Sequence, residues 1–184
     1  MSLSTTLAYL FPSIRFGLGG DCELRDDGAG VYIAAWSRPE PQPTPEEIEA
    51  ARIPAALALV IPAIKAERER RQLQGGFPVT LPGVGTVRFH SDTHSRSQHA
   101  GLFSTVNVML MQGATQATPI GNPQVQWKTM GGASVPLTVG VVLALMQASL
   151  MHEAAIHAAA DAHIAAATAA ADPLAYDYST GWPA

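Results

Sequence analysis

Short apolar stretches separated by a turn occur three times along the chain and predict three β-hairpins. Cys22 to Leu24 and Val31 to Trp36 flank RDDGAG, whose Asp-Gly pair favours a tight turn. In FPVTLPGVGTVRFH, the stretches Phe77 to Leu81 and Thr86 to Phe89 alternate in polarity around PGVG. The third hairpin, VQWKTMGGASVPL, is expected to turn at Gly131-Gly132.

A Pro-rich link leads into the first helical pattern. RPEPQPTP, residues 38–45, should be an extended connector, because proline cannot enter the interior of a sheet. A T-x-x-E capping box at Thr44 then starts a helix that continues to about Leu73. Pro54 and Pro62 interrupt the pattern, so we expect either a kinked helix or two shorter helices.

Two more helices are predicted in the carboxyl-terminal half. One follows Ser91 or Asp92, either of which is a suitable N-cap. The other is long and Ala-rich, begins after Leu137 with Thr138 as a candidate cap, and ends before Asp172.

Five residues on the long helix are spaced by three or four and form one candidate stripe that faces a partner helix: Leu143, Met146, Leu150, Ala154 and His157. We expect this stripe to pack against the helix that follows Asp92, because small side chains permit close approach. Leu150 should then be buried.

These elements indicate an α+β fold. The predicted order is a small amino-terminal β-hairpin module, a Pro-rich link, a kinked helix, and then hairpin, helix, hairpin and long helix with an aromatic carboxyl-terminal tail. We divide the chain into a β-rich module with its linker at residues 1–44, a connecting helix at 45–74 and a hairpin–helix domain at 75–184.

Composition narrows the function by exclusion. The 184 residues carry a net charge of −4, which argues against a nucleic-acid surface, and the only dense basic stretch, KAERERR, has charges paired at helical spacing. The single Cys22 fits a reducing cytoplasm. We expect no signal peptide and no membrane-spanning segment, because the first residues lack a basic region and the apolar stretches are interrupted.

The histidines raise the question of a metal site. His90, Asp92 and His94 form an H-x-D-x-H pattern, but a capping role for Asp92 would turn its carboxylate away from a chelate. On the long helix, His152 and His163 are eleven residues apart, about 16 Å along the axis, so one ion cannot bind both. We therefore predict no metal site and no cofactor.

Catalytic motifs are also missing from the sequence. It contains no G-x-S-x-G, no phosphate-binding G-x-x-x-x-G-K-[ST] and no G-x-G-x-x-G after a strand. We therefore predict no catalytic residues and expect that the protein is not an enzyme, with an enzyme acting on the host envelope as the third-ranked alternative.

Aromatic residues are the best candidates for protein binding. The tail ADPLAYDYSTGWPA contains Tyr176, Tyr178 and Trp182, and disordered tails are normally poor in aromatics, so it should be docked. It docks either on its own domain or on a neighbouring chain, since Trp and Tyr are enriched at binding hot spots. Trp127 and Trp36 are further candidates.

Four motifs in order, IKAERERRQLQGG, RFHSDTHSRSQ, VQWKTMGGASVPLT and DPLAYDYSTGWP, resemble an uncharacterised domain of tailed-phage and prophage proteins, found near tail-fibre and tail-fibre-assembly genes. The segment LRDDGAGVYIAAWSRPEPQPTPEEIEAA is similar to the short phage module of the XkdW proteins. This resemblance implies no catalytic residues. It implies a virion or virion-assembly role.

The expected function is a phage tail component, at the baseplate or the fibre attachment, that is assembled in the host cytoplasm. Its expected partners are other tail proteins and further copies of itself, with no nucleic acid and no membrane. The alternative is a tail-fibre assembly chaperone that is absent from the mature virion.

Overall fold

The computed structural model describes residues 1–183 and contains two compact units. Unit 1 comprises Met1–Ile64 and His163–Tyr178, and unit 2 comprises Lys65–Ala162 and the chain from Ser179 onward. The elements, in chain order, are α1 (Leu3–Leu10), β1 (Cys22–Asp26), β2 (Val31–Trp36), α2 (Pro45–Gln74), β3 (Phe77–Leu81), β4 (Gly85–Phe89), α3 (Thr93–Met111), β5 (Gln126–Lys128), β6 (Ser134–Pro136) and α4 (Val139–Ala169).

The predicted α+β class is confirmed. Each of the three predicted hairpins forms a two-stranded antiparallel sheet, β1–β2, β3–β4 and β5–β6. In the second hairpin Phe77 pairs with Phe89 and Val79 with Val87, which places Phe77, Val79 and Phe89 in the core. The turn chemistry and the alternation of polarity were therefore sufficient to locate all three hairpins.

The amino-terminal module is not purely β-rich, because α1 precedes its hairpin. The Ser2 hydroxyl caps this helix by accepting the backbone N–H of Thr5 at 3.2 Å. Leu7, one turn further along, is fully buried. The cap and the apolar spacing of Leu3, Leu7 and Leu10 were signals of a helix that the sequence interpretation missed.

The capping box of α2 forms as predicted. The backbone N–H of Glu47 donates to the Thr44 hydroxyl at 3.2 Å, and the Glu47 carboxylate accepts the backbone N–H of Thr44 at 2.8 Å. Pro54 and Pro62 both lie inside one continuous helix, so the alternative of two shorter helices is wrong. The bounds of α2 match the predicted connecting helix. The division into three domains stays a prediction.

Two adjacent clusters form the core of unit 2. The first joins β3, β4, β6 and α4 through Phe77, Val79, Leu81, Phe89, Val135 and Leu145. The second joins α3 and α4 through Val106, Ile120, Leu137, Val139 and Val142. Residues of α3 and of α4 thus share one core cluster at the Val-rich start of α4, whereas the predicted stripe is exposed from Leu150 to His157.

The predicted burial of Leu150 is wrong, since its side chain is 68% exposed. The buried positions of α4 are instead Val139, Val142, Leu145, Ile156, Ala160, His163 and Ala167. Alanine and other apolar residues occur all around this helix, so their spacing did not identify the core-facing side. The stripe that we selected is rotated by about one position from the buried one.

By length and composition alone, α4 is apolar enough to cross a membrane, contrary to the expectation from the sequence. Core helices of other proteins meet the same criteria, and α4 contributes Val142 and Leu145 to the core of unit 2. Only 22% of its most apolar window is buried, however, so much of its apolar surface is exposed in this chain.

Candidate functional site

The chain after α4 makes a short 3-10 turn and then extends as the aromatic tail. Asp172 caps the turn at Pro173–Ala175 by accepting the backbone N–H of Leu174 at 3.2 Å. The Tyr176 hydroxyl then lies 2.8 Å from Nδ1 of the buried His163, and the two rings meet edge to face. This pair anchors the first part of the tail within unit 1.

The last part of the tail docks within unit 2. The guanidinium of Arg71 lies 5.1 Å from the centre of the Trp182 ring, and its Nη2 donates to the carbonyl oxygen of Ser179 at 3.2 Å. Arg71 also donates to the Glu67 carboxylate at 2.6 Å, and Arg70 donates to the same carboxylate at 2.7 Å. These arginines, Arg70 first, lower the pKa of Glu67 to about 2.

The tail is therefore docked, as expected, and both of its anchors contact its own chain. Tyr178 is half-buried in unit 1. Binding of another protein by Tyr176, Tyr178 and Trp182 stays a prediction. Part of the surface of these side chains is already covered by contacts with their own chain.

Trp127, on β5, is half-buried and packs against both core clusters of unit 2. The ring of the buried His99 lies 5.2 Å from it. An open cavity of about 380 Å³ borders its outer side and is lined also by His90, Gln98 and Lys128. Trp127 thus combines a structural role with partial access to solvent.

Trp36, at the end of β2, holds the Pro-rich link in unit 1. Its indole N–H donates to the carbonyl oxygen of Glu40 at 2.7 Å, and its ring meets that of Phe11 edge to face at 5.1 Å. Arg38 lies over the other aromatic ring, 5.3 Å from the centre of Phe11. The five predicted interaction aromatics are thus distributed over both units.

A different apolar surface was not predicted. Leu150 and Met151 are 68% and 64% exposed, and Ala154, Ala155 and Ala158 follow them on the exposed side of α4. We call these five residues the α4 patch. No member of the patch carries a charge, and large exposed apolar side chains that lie side by side often mark an interaction surface.

The junction between β4 and α3 resolves the question of the H-x-D-x-H pattern. Asp92 is the N-cap: its carboxylate accepts the backbone N–H of Ser95 at 3.0 Å and the Ser95 hydroxyl at 2.7 Å, and the hydroxyl in particular lowers the pKa of Asp92. Ser91, the other candidate, instead accepts the backbone N–H of Gly76 at 3.0 Å. His90 and His94 are exposed.

The other four histidines each make contacts of their own. His157 lies 2.9 Å from the Gln72 amide nitrogen, while His163 pairs with Tyr176. Burial lowers the pKa of His99 to about 4, and burial first, then the charge of Arg88, lowers the pKa of His152. Among residues 1–183, no group of three or more His, Cys, Asp or Glu side chains is arranged to hold a metal ion.

Comparisons with known proteins gave two family matches. A family model described as a domain of unknown function (DUF4376) matches residues 55–180, more than half of the chain. A second model, described as XkdW protein, matches residues 3–59. A search of curated proteins and a search of solved structures each found no match. The XkdW match gives the chain a phage association.

Proposed function

The chain belongs to the DUF4376 family and carries an XkdW-type amino-terminal segment, and from that premise we propose that it is a structural component of a phage tail. It acts at the baseplate or at the fibre attachment, by binding other proteins. It catalyses no reaction. Its place is the tail of the virion, after assembly in the host cytoplasm.

The phage association of the XkdW-type segment is the observation that carries this proposal. The particle and its assembly are the two places where a phage-associated binding protein would act, and they correspond to the proposal and its alternative. The docked tail and the two compact units favour a stably folded structural component. A disordered segment lacks the apolar contacts that this aromatic tail makes.

The α4 patch is the proposed binding surface for another tail protein. Leu150 and Met151 offer large apolar side chains, and the alanines beside them let a partner helix approach closely. Binding through an uncharged patch should depend little on salt. The proposed partners are other tail proteins and further copies of the chain, with neither nucleic acid nor a membrane involved.

The proposal is tested by following the protein through particle assembly. Particles are purified on a density gradient from cells that produce the phage, and the protein is quantified by mass spectrometry in the lysate and in the particles. We expect a constant copy number per particle. Abundance in the lysate with absence from the particles would instead identify an assembly chaperone, and would contradict a structural role.

A further inference from the structure

Three arginines line one small cavity in unit 2. The cavity has a volume of about 210 Å³, and its lining includes Arg70 and Arg71 from α2, Arg88 from β4, and the side chains of Gln74 and His152. The whole chain has only 11 Lys and Arg residues and a net charge of −4. This is therefore a strong local concentration of positive charge in an acidic protein.

Arg88 is held rigidly but has no carboxylate partner among the described residues. Its Nε and Nη2 donate to the carbonyl oxygen of Gly75 at 3.2 and 2.8 Å, and Nη2 also donates to that of Gly76 at 3.0 Å. These bonds fix the plane of the guanidinium. Its third nitrogen, Nη1, makes no hydrogen bond to any residue that the structure describes.

The other two arginines share a single carboxylate. Arg70 donates to Glu67 through Nε and Nη2, and Arg71 donates to Glu67 through Nε. Within residues 1–183, the Nη1 of each again has no hydrogen-bond partner. Among residues 1–183, three guanidinium groups thus share one carboxylate partner at this cavity.

The remaining polar lining does not reduce this charge. Burial and the neighbouring Arg88 lower the pKa of His152, so its imidazole is neutral at pH 7 and offers one donor or one acceptor. The Gln74 amide is also neutral and supplies two N–H donors. Carbonyl oxygens of Gly75 and Gly76 are already used by Arg88.

We propose that this cavity is a binding site for a small oxyanion, either a carboxylate or a phosphate, held by Arg70, Arg71 and Arg88. Each guanidinium keeps its Nη1 for the ligand, and three such charged donors can bind different oxygens of one oxyanion through charge-assisted hydrogen bonds. A water molecule takes up about 30 Å³ of liquid, so the cavity accommodates such a group with a few waters. This site goes beyond the proposed tail function and does not depend on it.

The tail contributes to the site through Arg71. Trp182 stacks on the Arg71 guanidinium, the carbonyl oxygen of Ser179 accepts a hydrogen bond from it, and Pro183 forms part of the cavity wall. These contacts restrict the rotation of the Arg71 side chain. An ordered guanidinium loses less conformational entropy when it binds an anion.

Isothermal titration calorimetry of the full chain tests the proposal, with inorganic phosphate and glutarate as probes at constant ionic strength. We expect saturable binding at one site with a dissociation constant of about 1 mM. Arg88→Gln should weaken it about tenfold, and Arg70→Gln by several-fold. Arg70 is exposed and, among residues 1–183, bonds to Glu67 alone, so its variant should keep the fold even if Arg88→Gln does not.

Arg52→Gln is the matched control, because Arg52 is also an exposed α2 residue paired with a glutamate three positions away, Glu49. It should bind both probes as the unmodified chain does. Tighter binding of glutarate identifies a carboxylate as the natural ligand, and tighter binding of phosphate identifies a phosphate. Binding that does not saturate, or that Arg70→Gln reduces no more than Arg52→Gln does, would overturn the proposal.

Discussion

Nδ1 of His163 lies 2.8 Å from the hydroxyl oxygen of Tyr176, and this hydrogen bond ties the end of α4 to the tail that follows it. His163 is buried and Tyr176 is half-buried. A tail that starts from a fixed, buried partner is part of the folded unit. The aromatic residues in ADPLAYDYSTGWPA therefore have a structural role in this chain, whatever else they bind.

Loss of that hydrogen bond should destabilise unit 1. Tyr176→Phe removes only the hydroxyl that pairs with the buried His163 nitrogen, so we expect a loss of about 1–3 kcal/mol in the free energy of unfolding. Tyr9→Phe, at a tyrosine that is 45% exposed, is the control and should change nothing measurable. Urea unfolding followed by circular dichroism checks both, and equal midpoints for the two variants would refute the structural role.

The N-cap of α3 gives a second prediction. Asp92→Ala removes the acceptor for the Ser95 backbone N–H and should cost about 1 kcal/mol. Asp92→Asn retains an acceptor and should cost much less. Since the pKa of Asp92 is lowered in the folded protein, its contribution is present at neutral pH and disappears as pH falls through that lowered pKa. Equal stability of the two variants at pH 7 would show that the cap contributes nothing.

Truncation of two leucines on α4 to alanine should have very different effects on the free energy of unfolding. Leu145 is fully buried, and Leu145→Ala should destabilise the chain by about 2–5 kcal/mol. Leu150 is 68% exposed, and Leu150→Ala should leave the unfolding free energy within about 0.5 kcal/mol of the original. A large loss of unfolding free energy for Leu150→Ala in dilute, monomeric protein would mean that Leu150 lies on the buried side of α4.

The buried His99 should make the protein sensitive to mild acid. Its pKa is about 4 in the folded state, whereas a solvent-exposed histidine has a pKa of about 6.5, so the unfolded state takes up the proton first as pH falls. Stability should be constant above about pH 6.5 and fall between there and pH 4, by about 3 kcal/mol in all. The lowered pKa of His152 adds a change in the same direction.

His99→Phe separates this effect from other titrations. The ring lies between Phe77 and Trp127, and no described residue bonds its buried Nε2, so phenylalanine should fit there. The variant should keep its stability at pH 7 and lose most of the decrease between pH 6.5 and 4. An unchanged pH profile would show that His99 is not the responsible group.

Features encoded locally were predictable from the sequence. The Asp27-Gly28 turn, the Thr44–Glu47 capping box and the Asp92 cap each depend on residues within a few positions of one another, and each forms. The wrong alternative for α2, two shorter helices, was also based on a local rule. Proline is disfavoured inside a helix, yet the surrounding packing keeps Pro54 and Pro62 within one element.

Features that depend on the tertiary arrangement were not predictable. The Ala-rich sequence of α4 offers apolar residues on every side, so its pattern alone did not show that Leu145 is buried and Leu150 exposed. Arg88 of β4 lines the same cavity as Arg70 and Arg71 of α2. Nothing in the local sequence of either element predicts that these arginines lie close together.

The most direct test of the proposed tail function compares the copy number of three chains in purified particles by mass spectrometry. Leu150→Asp with Met151→Asp places charge in the α4 patch, while Tyr9→Phe is the neutral control, and circular dichroism confirms that both are folded. We predict a constant copy number for the unmodified chain and the control, and at least a tenfold loss for the patch variant at equal lysate level. Absence of the unmodified chain from particles, or full incorporation of the patch variant, would contradict binding through α4.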